Sequence, residues 1–385
     1  MIFCIGEILA DMIGTKRGRS IQFECFAGGA PFNVACGIAK LGENVAFAGC
    51  VGDDEIGSFL KNYAAGVENL KSVISTDPTR NTTIAFVTLN EEGERSFSFF
   101  RKNTADYALS LSMAEKLWEE ADIIHLGSLM LSEEQGRCFA DEVFHKAKTC
   151  GKKISFDVNY REDIFDNEET AKHIYTEWLS RADILKLSED EATMFFGENI
   201  DESLKRLSAQ RIVFVTLGKA GAAMYADGVK TSRPTADVKV VDTNGAGDAF
   251  YAGVLYQIEK GEKSPETILD FANVCGALTT SKHGATEALP SMNEVEKLFT
   301  SIRELISHDV AIVYITHKMD EVFQIADQVT VIRDGQYIDS KPVNAFTPDA
   351  LVTMLVGRKL DQIYPKESVP IGDTLLEVRH LSRPG

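Results

Sequence analysis

The chain has 385 residues, 44% of them hydrophobic, which suits one large α/β domain with its own core plus an appendage. A formal net charge of −18 argues against a nucleic-acid footprint, because neutralising phosphates needs clustered lysine and arginine and the sequence has no such cluster. Seven cysteines are scattered without a Cys-x-x-Cys pair, and no apolar run approaches the roughly 20 residues of a membrane span, which disfavours zinc, a disulfide framework and membrane insertion.

Met1 to Ala10 has no basic leader and turns acidic at Glu7, and with the cysteine usage this leads to the expectation of a cytoplasmic protein. Met1 to Ile5 reads as a strand starting at a sheet edge, the Gly6-Glu7 break follows, and Asp11 taken alone is a turn residue. Ala27 to Gly42 reads as a helix: Pro31 suits its first turn, Ala35, Ile38, Ala39 and Leu41 form an apolar stripe, and Gly42 suits its C-terminal end. Gly28 and Gly29 let a ligand approach the backbone, and Asn33, an amide that donates and accepts, suits a polyol; an ordinary loop and a solvated helix residue account for the same pattern.

Thr82 to Leu89 and Arg95 to Phe100 flank Asn90-Glu91-Glu92-Gly93, a hairpin pattern. From Ile123–His125 through Ile154–Val158, Ile184–Leu187 and Ile212–Leu217, short apolar strands alternate with segments of helical length, the rhythm of a parallel sheet with helices on both faces.

The β-branched residues Val238, Val240 and Val241 predict a strand that stops at Asp242-Thr243-Asn244, after which Phe250, Val254, Leu255 and Ile258 predict a helix. Between them Gly245, Ala246 and Gly247 bring almost no side chain to a helix start whose first N–H groups lack internal partners, which makes an anion site. Asp248 in the first turn stands where a general base for phosphoryl transfer is needed; a first-turn acid complementing the helix dipole is the plainer alternative.

Asp-Thr-x-Gly-Ala-Gly-Asp at Asp242 to Asp248, with small Ala252 and Gly253 after it, resembles the C-terminal signature of the ribokinase (phosphofructokinase B) family. Gly28 to Ala35, with Gly42 and Gly52 downstream, resembles that family's N-terminal signature. The resemblance implies a ribokinase-like three-layer α/β/α sandwich with a small β lid over residues 1–299, using ATP and Mg2+. It implies a sugar site at Asp11, Gly28, Gly29, Asn33, Arg101, Asn159 and Arg161, the last two from an Asp-x-Asn-x-Arg segment at Asp157 to Arg161. Helix capping by Arg161 and a surface ion pair for Arg101 remain open alternatives. Nucleotide contacts fall on Thr216, Gly218, Gly221, Gly245, Gly247 and, on the adenine side, Asn273; Glu191 takes the place of the acid that organises hydrated magnesium, or else simply closes a helix start capped by Ser188. The family's habits add a K+ site near Asp242 and Thr243 and a homodimer through the lid. No Gly-x-x-x-x-Gly-Lys-Ser/Thr occurs, so the turn at Gly245 to Gly247 has to serve the nucleotide.

Residues 300–385 depart from this pattern. Val310 to Glu321, with His317 matching a switch histidine, and Asp327 to Gly335 resemble ATP-binding subunits of bacterial sugar ABC transporters, and Leu351 to Arg358 and Leu375 to Arg379 continue the likeness. Walker A, Walker B and the signature sequence are missing, so this α/β fragment is expected to hydrolyse no ATP, and Asn293 to Phe299 serves as a helix shared by both parts. The expected activity is a fructokinase making fructose 6-phosphate. A 2-keto-3-deoxygluconate kinase is the nearest alternative, and a non-catalytic sugar-binding or transporter-associated protein is the alternative of another class.

Overall fold

Ile2-Phe3-Cys4-Ile5 is apolar at every position, and a strand without a polar face needs cover on both sides. In the computed structural model this segment is β1 (Ile2–Ile5), buried throughout and lying between two parallel neighbours, so the sheet-edge expectation is corrected. The structure describes all residues except 18–19, 90–94, 162–163, 166, 237, 308–322, 324–327, 334–335 and 357–385. The chain divides into two compact units, Met1–Val310 and Ala311–Gly385.

In the first unit, the hairpin of β2 (Leu9–Arg17) and β3 (Ser20–Gly28) precedes β4 (Val45–Gly52) and β5 (Leu70–Asp77), and the predicted hairpin follows as β6 (Ile84–Leu89) and β7 (Arg95–Phe100). Next come β8 (Ile123–Leu126), β9 (Lys153–Asp157), β10 (Ile184–Ser188), β11 (Ile212–Thr216), β12 (Ala222–Ala226) and β13 (Val229–Arg233). The large sheet has nine strands in the order β13-β12-β11-β10-β9-β8-β1-β4-β5, parallel from β11 to β5 and closed by two antiparallel strands.

Ten helices are described in this unit: α1 (Ala30–Lys40), α2 (Glu55–Ala65), α3 (Glu115–Glu120), α4 (Glu134–Thr149), α5 (Glu168–Arg181), α6 (Glu189–Phe196), α7 (Ile200–Leu207), α8 (Ala246–Glu259), α9 (Pro265–Thr280) and α10 (Met292–Ser307). On one face of the sheet Phe3, Leu126 and Phe156 pack with Trp118, Tyr175 and Trp178; on the other, Ile2, Phe47 and Phe214 pack with Phe32, Phe250 and Leu255. The result is the expected three-layer α/β/α sandwich, since a parallel sheet has no face to leave wet.

A second sheet, in the order β3-β2-β6-β7, is the small lid. Phe86 is clamped edge-on between Phe23 and Phe100, with ring centres 4.9 and 5.2 Å away. Asp11 is a strand residue here, opposite Phe26, which corrects its reading as a turn. The strand expected at Val238 to Val241 does not form. Val240 and Val241 are exposed in irregular chain, and the N–H groups of Val241 and Asp242 go to the Thr280 carbonyl at the end of α9, at 2.7 and 3.0 Å, not to a sheet.

In the second unit, β14 (Gln328–Arg333) and β15 (Gln336–Pro342) form an antiparallel hairpin beside α11 (Pro348–Val356), around Val331, Phe346 and Leu351. The segments 310–321, with His317, and 375–379 that carried most of the transporter likeness lie outside the described residues. The predicted boundary at 299/300 is crossed by α10, which runs to Ser307, and the units divide after Val310. A chain ended after Ser307 should therefore unfold in one cooperative transition with the midpoint of the full chain's main transition. Calorimetry checks this, and a fall of more than about 4 °C would mean that the second unit stabilises the first.

Candidate active site

The first side of the site is built by glycine and proline at the start of α1. Gly29 caps this helix at φ +111°, and a side chain there would stand 2.5 Å from the Glu7 carbonyl oxygen, so the turn out of β3 can close only on glycine. A side chain on Gly28 would run into the Asp11 carboxylate, which places Asp11 at the base of the lid beside the glycine pair.

The second side is the start of α8. Gly245 caps it in the left-handed region at φ +72°, and the buried Asp242 holds the turn, accepting from Asn244 N–H at 2.7 Å and Gly284 N–H at 3.1 Å. Ala246 N–H bonds to Thr243 O at 3.4 Å and Ala249 N–H to Gly245 O at 2.8 Å, whereas among the described residues those of Gly247 and Asp248 have no backbone acceptor and stand as free helix-start donors.

The two sides are locked by small residues. A Cβ on Gly37 of α1 would lie 2.6 Å from that of Ala252 on α8, so the helices cross at nearly backbone contact. That crossing brings Asn33 Nδ2 to 2.8 Å from Asp248 Oδ2. Burial pushes the Asp248 carboxyl above the usual carboxylate range, and the Asn33 hydrogen bond, Lys186 and Arg161 pull it back down. Asp248 is thus a carboxylate of raised basicity with a turn of free N–H donors directly before it in the chain.

Asp157 ends β9, and its Oδ2 accepts from Lys186 Nζ of β10 at 3.0 Å, both side chains being buried. Arg161 follows, half-buried, and its NH1 donates to Tyr160 O at 3.1 Å. The capping role weighed for it is filled by Asn167, whose side chain accepts from Thr170 N–H before α5. Asn159 holds a left-handed backbone at φ +37°, a turn that aims the segment back over the strand ends. Glu191 does close the start of α6: its Oε2 accepts from Ser188 N–H at 2.6 Å, and its Oε1 from Tyr160 N–H at 2.7 Å.

Arg101 departs from the surface ion-pair reading offered for it. It is neither on the surface nor an open fork: its Nε and NH2 bind Asp106, and its NH1 donates to Tyr107 Oη, Leu129 O and Ser132 Oγ. It knits the chain after the lid to the sheet. Asn273 likewise spends its amide on Arg233 O and Pro234 O, at 3.1 and 3.0 Å, which fastens α9 to the loop after β13 and leaves Oδ1 as its one remaining group. Thr216 ends β11, with Oγ1 3.5 Å from Leu187 O, and Gly218 and Gly221, at φ +56° and +100°, shape the turn into β12. Asp242 and Thr243 sit in the α8 turn, the former buried and the latter exposed. Among the described residues no three metal-binding side chains cluster.

Two buried groups were missed by the sequence reading. Lys186 looks like the polar member of an apolar strand, and only the register beside β9 reveals its partner. Glu7 is 1% exposed, neither carboxyl oxygen has a hydrogen-bond partner among the described residues, and burial pushes it up to about 8, against Arg101 and with Asp106 and Asp248.

Residues 1–292 match the model of the pfkB family carbohydrate kinases. The chain belongs to that family. Among its relatives, a fructokinase-1 of Oryza sativa subsp. japonica is 36% identical over 318 residues, covering 78% of this chain and 98% of the rice protein. A fructokinase-1 of Zea mays is 36% identical over 315 residues, covering 77% and 97%. Among solved structures, the fructokinase of Xylella fastidiosa with bound ATP superposes with a TM-score of 0.73 at 31% identity, over 78% of this chain and 98% of that one. That of Vibrio cholerae O395 with fructose, ADP and calcium ion gives 0.67 at 29%, over 77% and 98%.

Two pH effects follow for this carbohydrate kinase. Asn33 lowers the Asp248 carboxyl, so Asn33→Ala should move the acid limb of the kcat/KM profile to higher pH, read by steady-state rates across the pH range. Glu7 keeps its proton in the folded chain up to about 8 but releases it near 4.5 when unfolded, so its contribution to stability is full below 4.5 and is lost as pH rises through about 8. In Glu7→Gln the fall in melting temperature across that window should shrink.

Proposed function

We propose that the first unit transfers the γ-phosphoryl group of ATP to a hydroxyl of fructose, giving fructose 6-phosphate. The observation that carries this reading is the Asn33–Asp248 bond at the mouth of the α8 anion turn, in a chain whose family is carbohydrate kinases and whose relatives are fructokinases. The sugar hydroxyl oxygen attacks the γ-phosphorus, its proton passes to Asp248, and the bond to the bridging oxygen breaks with its electrons leaving on ADP. Asn33 keeps the carboxylate pointed at the hydroxyl, and the N–H groups of Gly247 and Asp248 face the charge that develops on the transferring group.

Bound magnesium would neutralise phosphate charge. Both Glu191 oxygens already accept backbone N–H groups, so this chain's residues suit an ion held by nucleotide phosphates and water, with Glu191 at one remove. Thr216, Gly218 and Gly221 line the strand-end turn proposed for the nucleotide, and Asp11, Gly28, Gly29, Asn33, Asn159 and Arg161 the sugar side. A 2-keto-3-deoxygluconate carboxylate would want Arg101 and Arg161 as cationic partners; Arg101 gives Nε, NH1 and one NH2 N–H to protein acceptors, and the fructokinase relatives favour fructose as the acceptor. The free cysteines suit a reducing cytoplasm. Exposed Ile21 and Phe100 support the lid as a homodimer face, and the Asp242-Thr243 turn is the proposed K+ site. The second unit is proposed as a passenger without ATPase activity.

Asp248→Asn should lower kcat by about 10²–10⁴ while the fructose dissociation constant stays within about threefold, measured by coupled ADP release and by calorimetric titration. Turnover near that of the unaltered chain removes Asp248 as the base. Selective turnover with 2-keto-3-deoxygluconate in the same assay replaces the acceptor.

A further inference from the structure

A buried ammonium beside a helix N-terminus is an electrostatic conflict, because both are positive. Lys186 Nζ occupies such a place. It would lie 3.1 Å from a Cβ built on Gly247, the second helical residue of α8, so the ammonium touches the turn that the helix dipole already makes positive. Its strand gives it no escape, since the residue is 7% exposed within a parallel sheet.

The neutralisation present is incomplete. Among the described residues the ammonium donates to Asp157 Oδ2 alone, at 3.0 Å, which leaves two of its three protons without an acceptor, and Asp157 Oδ1, also buried, has no hydrogen-bond partner. Burial works against the lysine's charge, yet Asp157, Glu191 and Asp248 outweigh it and hold the ammonium above the usual lysine range. Of these carboxylates only Asp157 bonds to the ammonium, so two ammonium protons and the Gly247 and Asp248 N–H groups beside them are left in want of an acceptor. An anion seated against the Gly247 and Asp248 N–H groups would supply it.

We infer that Lys186 contacts the transferring phosphoryl group, donating to a γ-phosphate oxygen from the β10 side while the α8 N–H groups donate from the other. This rests on the kinase reading of the site. As the bond to the sugar oxygen forms and the bond to the ADP oxygen breaks, charge shifts among the oxygens of the group in flight; Lys186 stays protonated and takes no part in the proton transfer, which remains with Asp248. Asp157 is then a positioning residue that holds the ammonium over Gly247.

The test compares nucleotides that differ by one phosphate, so it reads this contact without depending on which sugar is phosphorylated. In the full chain, Lys186→Met should weaken the β,γ-imido analogue of ATP at least tenfold while ADP changes less than about threefold, by calorimetric titration, and kcat should fall by about 10²–10³. Lys186→Met leaves Asp157 buried without its partner, so Lys186→Met/Asp157→Asn is measured beside it. Recovery of analogue affinity in the double variant would show a purely structural lysine and overturn the inference, as would equal weakening of ADP and analogue, or no weakening of either. Independently of whether the variants fold, a crystal structure of the unaltered chain with the analogue upholds it if Nζ lies within about 3.2 Å of a γ-oxygen, and overturns it if that distance exceeds about 4 Å. If no sugar in a panel is phosphorylated, the kinase reading fails by itself, and the nucleotide comparison still stands or falls on its own.

Discussion

The site depends on the near-contact of α1 and α8. Gly37 and Ala252 allow it on one side, and Gly253, whose added Cβ would lie 3.0 Å from Ala272 Cα, allows α9 to close on the other side of the same helix. Because interiors are close-packed, a single methyl group at either crossing must displace a helix. Displacement would part Asn33 from Asp248, since these residues meet only through that geometry. The small residues of these two helices thus position Asn33 and Asp248 for the chemistry proposed for them.

Two buried cations, Arg101 and Lys186, show how burial alone fails to identify function. Both are nearly solvent-free, and both pair with an aspartate. The difference lies in completeness. Arg101 has its guanidinium satisfied by a carboxylate, a phenol, a carbonyl and a hydroxyl, a network that returns the cost of burying it. Lys186 has one bond and faces a positive helix end. A satisfied charge is architecture; an unsatisfied one that still keeps its proton is a place made for something else.

Much of the fold was legible, because parallel strands buried on both faces leave mostly apolar runs, as at Ile2–Ile5, Ile123–Leu126 and Ile212–Val215. Two misreadings have distinct causes. Val238 to Val241 has strand composition but no partner edge, its N–H groups being captured by Thr280, and composition cannot see partners. Asp11 was read alone, whereas its strand is defined by pairing with β3 and β6 over residues that look like a loop. At the site, the glycine turn and Asp248 were readable because local backbone chemistry demands those residues in sequence. Glu7, Lys186 and the internal role of Arg101 were not, because each is defined by neighbours from elsewhere in the fold: Gly127 for Glu7, Asp157 of β9 for Lys186, Leu129 and Ser132 for Arg101.

Glu7 shows how far such non-local definition reaches. A Cβ on Gly127, after β8, would come 2.6 Å from Glu7 Oε2 and 2.9 Å from Pro31 Cγ, so the carboxyl occupies the room a side chain at 127 would need. Gly6 is pinned in the same way, with Pro31 Cγ at 2.7 Å and Gly127 Cα at 3.2 Å from its own would-be Cβ. One buried acid just after β1 therefore fixes glycine at 127, and the same crowding at Gly6 and Pro31 fixes the entry of α1. The placement of Asn33 follows from that entry. The acid is costly when ionised, which is why burial holds its proton on. A neutral carboxyl can donate as well as accept, a property that an isosteric hydrocarbon lacks.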